Sequence, residues 1–222
     1  MSAEKKRFVE LNHPIEDGMR AYPGLPSPQV RPLADHEQSR PRYEGKAEFY
    51  LGHFALPGNV GTYLDSPFHR YPEGADLSRI PLEAVAGLPG LALDARICAS
   101  RAVSVDCSDA ELAGRAVLIR TGWDRRWGTD AYWEPGPFLA PELLDRLVRS
   151  RPALVGVDFW NVDDTADLAR PAHTRLLAAG ILIVEHMCNL AELPREGFRL
   201  YAAPLRIVRG ASFPVRAFAE IG

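Results

Sequence analysis

The chain of 222 residues has little sulfur: three methionines and three cysteines, Cys98, Cys107 and Cys188. The cysteines are odd in number, widely spaced and without a Cys-x-x-Cys pair, which excludes a disulfide framework and a thiolate zinc site. A basic run is also missing. Twenty-six Lys and Arg stand against twenty-nine Asp and Glu, for a formal charge of -3, so no nucleic-acid partner is expected. No segment reaches the roughly 18 to 20 apolar residues that span a bilayer, and no apolar signal core follows the opening "MSAEKKRFVELNHPI". The expectation is a protein without a membrane partner, located in the cytoplasm. Low-complexity tails and internal repeats are absent too, the nineteen prolines and eighteen glycines being spread along the chain.

What is present is a composition with 46% hydrophobic and 25% charged residues, enough to bury one core, and a single domain over residues 1–222 is expected. Short apolar, β-branched runs separated by turn residues predict strands: "RFVELNHPI", "EFYLGHFAL", "GLALDARIC", "RAVLIRTGW", "ALVGVDFW", "GILIVEHM", "LYAAPLRIVRG" and "FPVRAFAEI". Helices are predicted for "SRIPLEAVAG", Asp109 to Leu112, "APELLDRLVRS" with Pro141 in its first turn, and "PAHTRLLAAG" closed by Gly180. Strands outnumber helices, so the class is α/β with a β-rich core. The proline- and charge-rich stretch 20–44 reads as a long arm or loop near a pocket or a subunit contact.

The stretch "NVGTYLDSPFH", Asn59 to His69, carries Asp65 and His69 four positions apart. Pro67 disfavours regular helix there, and in an extended or bent segment the two side chains can converge on one ion. His173 opens a predicted helix and Glu185 ends the apolar strand "ILIVE", a spacing that can return the carboxylate to the imidazole. Asp65, His69, His173 and Glu185 together would make a shell for one divalent metal. Each residue also has an ordinary role: a capping histidine, a solvated strand-end acid, a turn-forming aspartate. The local pattern alone therefore assigns no site. The aromatic residues Trp123, Trp127, Tyr132, Trp133, Phe138 and Trp160 read first as packing, with some lining of an aromatic pocket. His186 is expected to be structural, and Cys188 buried and without a base.

Five ordered segments carry a wider likeness: "VELNHPIEDGMRAYPG", "GNVGTYLDSPFHRYPEGADLSRIPLEAVAG", "VLIRTGWDRRWGT", "VGVDFWNVD" and "AHTRLLAAGILIVEHMCNL". They resemble the signature segments of the cyclase family, which includes bacterial kynurenine formamidases and isatin hydrolases. The resemblance implies a swivelling β/β/α-type fold, a homodimer or homotetramer, and metal-dependent hydrolysis of an amide or lactam C–N bond. It also exposes a departure. The family pattern His-x-Gly-Thr-His-x-Asp-x-Pro-x-His falls on Asn59, Gly61, Thr62, Tyr63, Asp65, Pro67 and His69, so both leading histidines are replaced. An Asn carbonyl is a weak ligand, and a Tyr phenol must first lose a proton near pH 10. The ligands implied for one ion are lost, and Asp65, His173 and Glu185 are kept for the other.

The sequence reading is therefore a hydrolase acting on a C–N bond of a small, aromatic substrate with at most one zinc or manganese. Asp65, His69, His173 and Glu185 would be ligands, Tyr63, His69, His173 and Glu185 catalytic, and Asn59 and Trp160 in contact with substrate. The alternatives are a metal-independent cyclase or dehydratase of natural-product metabolism using Tyr63 with His69 and His173, and a non-catalytic small-molecule-binding relative.

Overall fold

The computed structural model describes residues 6–96 and 100–222. Among them are β1 (Arg7–Glu10), β2 (Gln29–Ala34), α1 (His36–Ser39), β3 (Leu51–Ala55), β4 (Tyr63–Asp65), β5 (Ala86–Asp94), β6 (Ala102–Val103), α2 (Asp109–Leu112), β7 (Ala116–Arg120), β8 (Phe138–Leu139), α3 (Pro141–Ser150), β9 (Leu154–Val157), α4 (Pro171–Ala178), β10 (Leu182–Glu185), β11 (Phe198–Tyr201), β12 (Ser212–Pro214) and β13 (Phe218–Ile221). Nine strands form one mixed sheet in the order β1-β13-β11-β5-β7-β9-β10-β4-β12. β5, β7, β9 and β10 are parallel, with α2, α3 and α4 in their connections, as parallel neighbours require a crossover. The outer pairs are antiparallel. This is the α/β class with a β-rich core.

The central strands are apolar on both faces because both faces are covered. Val117, Ile119, Val155, Val157 and Ile183 pack against Leu143, Leu144 and Leu147 of α3 and Leu176 and Leu177 of α4. Their alternating neighbours Ala116, Leu118, Leu154, Leu182 and Val184 face Val9, Leu11, Leu64 and Leu200 on the other side. Burying each larger aliphatic side chain contributes about 1.5–3 kcal/mol, so these two layers fix the sheet. Gly156 of β9 is needed for the second layer: a β-carbon there would lie 2.5 Å from Met187 Sδ and 2.6 Å from a Leu118 methyl.

Helix α4 ends as its sequence predicts. Gly180 adopts φ 76°, its N–H bonds Leu177 O (3.1 Å) and Ile181 N–H bonds Leu176 O (2.9 Å), the paired bonds of a glycine-terminated helix. Elsewhere the structure corrects the expectation. "SRIPLEAVAG" is no helix: Leu82–Ala84 makes one 3-10 turn, then Ala202 N–H bonds Val85 O (2.8 Å) and the sheet takes the chain at Ala86. The strand expected through "LYAAPLRIVRG" stops at Tyr201, before a segment containing Pro204, which has no N–H for a ladder. "FPVRAFAEI" divides into β12 and β13. Ile97 and Cys98, the end of the strand expected through "GLALDARIC", lie outside the described residues.

The stretch 20–44 contains β2, α1 and a 3-10 turn, Arg40–Tyr43, and β2 pairs with β3 in a separate antiparallel ribbon. Among the described residues no helix is long and apolar enough to cross a membrane.

Candidate active and metal site

The site follows from strand register. Tyr63 is the Cα partner of Glu185 and Asp65 that of Ile183, in the antiparallel pairing of β4 with β10. Directly opposed residues share a face, and Ile183 belongs to the helix-covered layer. Tyr63, Asp65 and Glu185 therefore all emerge on the side where α4 packs, while Leu64 and Val184 enter the opposite core layer. His173, in the first turn of α4, is buried over them. One ligand atom each from Asp65, His173 and Glu185 lies within 4.8 Å of the others.

Each side chain is held by named bonds. Glu185 Oε1 accepts the Val162 N–H (2.7 Å), and Oε2 accepts the Tyr63 hydroxyl (2.5 Å). Asp163 accepts from His173 Nδ1 (2.7 Å) and from the N–H groups of Ala172 and His173 at the start of α4. A carboxylate can only accept, so Nδ1 carries the proton and Nε2 is turned to Asp65 Oδ2 (3.7 Å) and Glu185 Oε1 (3.6 Å). The Ser212 hydroxyl donates to Asp65 Oδ1, with Asn59 Nδ2 at 3.5 Å from the same oxygen. Asp65 Oδ2 is buried without a hydrogen-bond partner.

Burial is the largest influence on the charges here. It opposes the His173 imidazolium, but the carboxylates of Glu185, Asp163 and Asp65 outweigh it and lift His173 to about 10. It favours a neutral Glu185, raised to about 7 against the pull of His173 and the Tyr63 hydroxyl. Asp65 is held below the usual carboxylate range, because His173, His69 and Ser212 overcome its burial. Burial, with the charges of Glu185 and Asp65, keeps the proton on Tyr63. The donor set is thus one imidazole oriented by a carboxylate, two further carboxylates and an orphaned buried oxygen. It carries excess negative charge, and it fits a divalent cation.

The family model described as "Putative cyclase" matches residues 9–164. A kynurenine formamidase of Salinibacter ruber (strain DSM 13855 / M31) is 32% identical over 181 residues, covering 79% of this chain and 82% of that protein. The chain belongs to the cyclase family. It is an enzyme of that family. Isatin hydrolase A from Labrenzia aggregata, solved with benzyl benzoate, superposes with a TM-score of 0.81 at 23% identity over 97% of this chain and 94% of that one. A structure described as a potential metal-dependent hydrolase with cyclase activity gives a TM-score of 0.76 at 23% identity, covering 97% and 98%. At these identities the structural likenesses carry the fold.

In this cyclase-family chain the residues singled out in the sequence lie as follows. His69 stands beside the three converging groups, its ring 5.6 Å from that of His173 and its Nδ1 3.8 Å from Asp65 Oδ1. It lines a cavity of about 470 Å³ together with Asn59, Tyr63, His173 and Glu185. Trp160 is packed against Trp133 and Tyr22, and its indole N–H is given to Glu134 O (3.0 Å); Tyr22 and Asn161 form the cavity wall on that side. Asp163 and Ser212 were not legible, since neither sits in a pattern of ligand spacing; only the contacts of His173 and Asp65 single them out.

Alternation along β10 does not extend to His186. The strand ends at Glu185, and His186 has φ 58°, which turns its ring into a cage of Tyr63, Tyr132, Trp127 and Trp133 with centroids 5.2 to 5.8 Å away. Its Nδ1 meets the Tyr132 hydroxyl (2.9 Å). Cys188 is buried, and burial pushes its thiol up to about 12, which removes it as a nucleophile.

Proposed function

We propose that this enzyme hydrolyses a C–N bond of a small aromatic amide, formamide or lactam, with one zinc or manganese held by Asp65, His173 and Glu185. The observation that carries the reading is the convergence of those three buried side chains, from β4, α4 and β10, on one point. Three protein ligands leave a position open, as hydrolytic metal sites require. A divalent ion bound there supplies Lewis acidity toward water and a substrate carbonyl.

The chain's own groups would do the rest. The Ser212 hydroxyl has one proton and gives it to Asp65, so the 3.3 Å contact with His69 Nδ1 makes the imidazole the donor. His69 Nε2 then keeps its lone pair, and burial lowers the affinity of this imidazole for a proton. In this reading His69 takes a proton from the attacking water and returns it to the leaving nitrogen. Asn59 lines the cavity with an amide N–H able to orient the substrate carbonyl. The Tyr63 proton is committed to Glu185, so Tyr63 acts by fixing that carboxylate.

The test is metal analysis of protein purified without chelator, joined to hydrolysis assays on N-formylkynurenine, formanilide and isatin. About one ion per chain is expected, with turnover lost in chelator and restored by zinc or manganese. A second reading, a metal-independent cyclase or dehydratase, draws on the fact that both Glu185 oxygens already have donors and face an imidazole. Turnover that persists in chelator, with a metal content near zero after reconstitution, would replace the first reading by the second.

We also infer self-association in the cytoplasm. Tyr50 and Phe54 share one face of the β2–β3 ribbon and its approach, and both are half or more exposed, an apolar surface suited to a second copy. Light scattering behind a sizing column reads the oligomer directly.

A further inference from the structure

Two arginines line the cavity that contains the reactive cluster, Arg70 after His69 and Arg170 before α4. The ion pairs at this cavity join histidines to carboxylates, His69 to Asp65 and His173 to Asp65, Asp163 and Glu185. Neither arginine takes part in an ion pair among the described residues. Arg170 Nη1 is buried and has no hydrogen-bond partner, while the same guanidinium interacts with the Tyr22 hydroxyl on the cavity wall. Asp164, whose charge Arg170 influences, is already held by Arg101 (3.0 Å) and by the Ala166 N–H (3.2 Å). A desolvated guanidinium nitrogen without an acceptor is unfavourable unless an acceptor arrives with a ligand.

The rest of the lining mixes the polar Tyr22, Asn59 and Asn161 with apolar surface. Leu25 and Leu168 belong to the same cavity, and Leu168 is 90% exposed. A ligand matching this surface has an apolar body, a scissile group near His69 and His173, and an anionic group near Arg170. The planar fork of guanidinium suits a carboxylate, which it can bind through two parallel hydrogen bonds.

We propose that the substrate is an aromatic amide bearing a carboxylate, and that Arg170, assisted by Arg70, is the residue selecting it over neutral amides. The proposal rests on the C–N hydrolase reading for its chemistry, while the anion site can be tested apart from it.

The experiment compares 2-formamidobenzoate with formanilide as substrates, and benzoate with benzamide as unreactive ligands, for the metal-reconstituted wild type, Arg170→Met and Arg170→Lys. For the wild type kcat/KM should favour the carboxylated amide by about 10- to 100-fold. Arg170→Met should collapse that ratio through a raised KM, and Arg170→Lys should keep part of it. A wild type that treats the two amides alike, or a ratio that survives in Arg170→Met, overturns the assignment. If neither these amides nor N-formylkynurenine and isatin are turned over, the hydrolase reading fails and calorimetry decides the anion site. Benzoate bound more tightly than benzamide by the wild type, with the difference lost in Arg170→Met, supports it. Equal binding, or none, overturns it. Wild-type binding needs no variant to fold, so a destabilised substitution does not remove the test.

Discussion

The phenol of Tyr63 donates to Glu185 Oε2 at 2.5 Å, across paired positions of β4 and β10, in a place where the family pattern has an imidazole. The tyrosine is thus a group that holds the Glu185 carboxylate still. Tyr63→Phe should leave a buried carboxylate oxygen without its donor. The expected loss is about 1–3 kcal/mol of unfolding free energy in chelator-treated protein, read from urea denaturation. An unchanged midpoint would mean that the bond contributes nothing to the fold.

Restoring the pattern is the complementary experiment. Asn59→His combined with Tyr63→His returns two imidazoles beside Asp65, and the metal content should rise from about one to about two ions per chain. Inductively coupled plasma mass spectrometry counts them. A content that stays at one would show that more than these two residues sets the number.

Asp163 touches no other cluster member than His173, yet it fixes which nitrogen of that ring faces Asp65 and Glu185. Asp163→Asn keeps the shape and removes the charge. Metal affinity should weaken about 10- to 100-fold, measured by competition with a chromogenic chelator. Unaltered affinity would remove the aspartate from any role at the metal.

His69 can be separated from the ligands by one comparison. His69→Ala should lower kcat by about 10²- to 10⁴-fold while the metal content stays the same. Loss of the metal along with activity would make His69 a ligand after all.

His186 gives a pH signature of the fold. Burial holds its imidazole down to about 3, against 6.5 for an exposed ring. Between those values the unfolded chain binds the proton that the folded chain refuses, so this contribution is complete above the unfolded value and is lost as pH falls toward 3. The slope from one such group approaches about 1.4 kcal/mol per pH unit. His186→Asn suits the left-handed backbone and removes the titration. Its stability should decline less steeply than wild type from about pH 6 to about pH 4, by urea denaturation at each pH. Parallel curves would count against a neutral buried ring.

Much of this was readable in the residues because local runs and caps dominate. The unbroken apolar, β-branched runs of "RAVLIR" and "ILIVE" gave strands, and Gly180 marked the end of α4 where its positive φ is used. Asp65, His173 and Glu185 were reachable as ligand types at the ends of recognisable elements. Asp163, Ser212 and Arg170 were not, because their significance lies in a hydrogen bond made or missing at a distance, and no local period encodes that. "SRIPLEAVAG" failed as a helix for a related reason: its propensity is overruled by a backbone bond from Ala202, far along the chain.

The pairing of β4 with β10 joins residues 122 positions apart, and the Ser212 contact with Asp65 spans 147. As the chain leaves the ribosome, Asp65 waits through most of translation before any of those partners exists. Truncated products ending before α4 would lack His173, Glu185 and Ser212, so the convergence on Asp65 can form only after nearly the whole chain has been made.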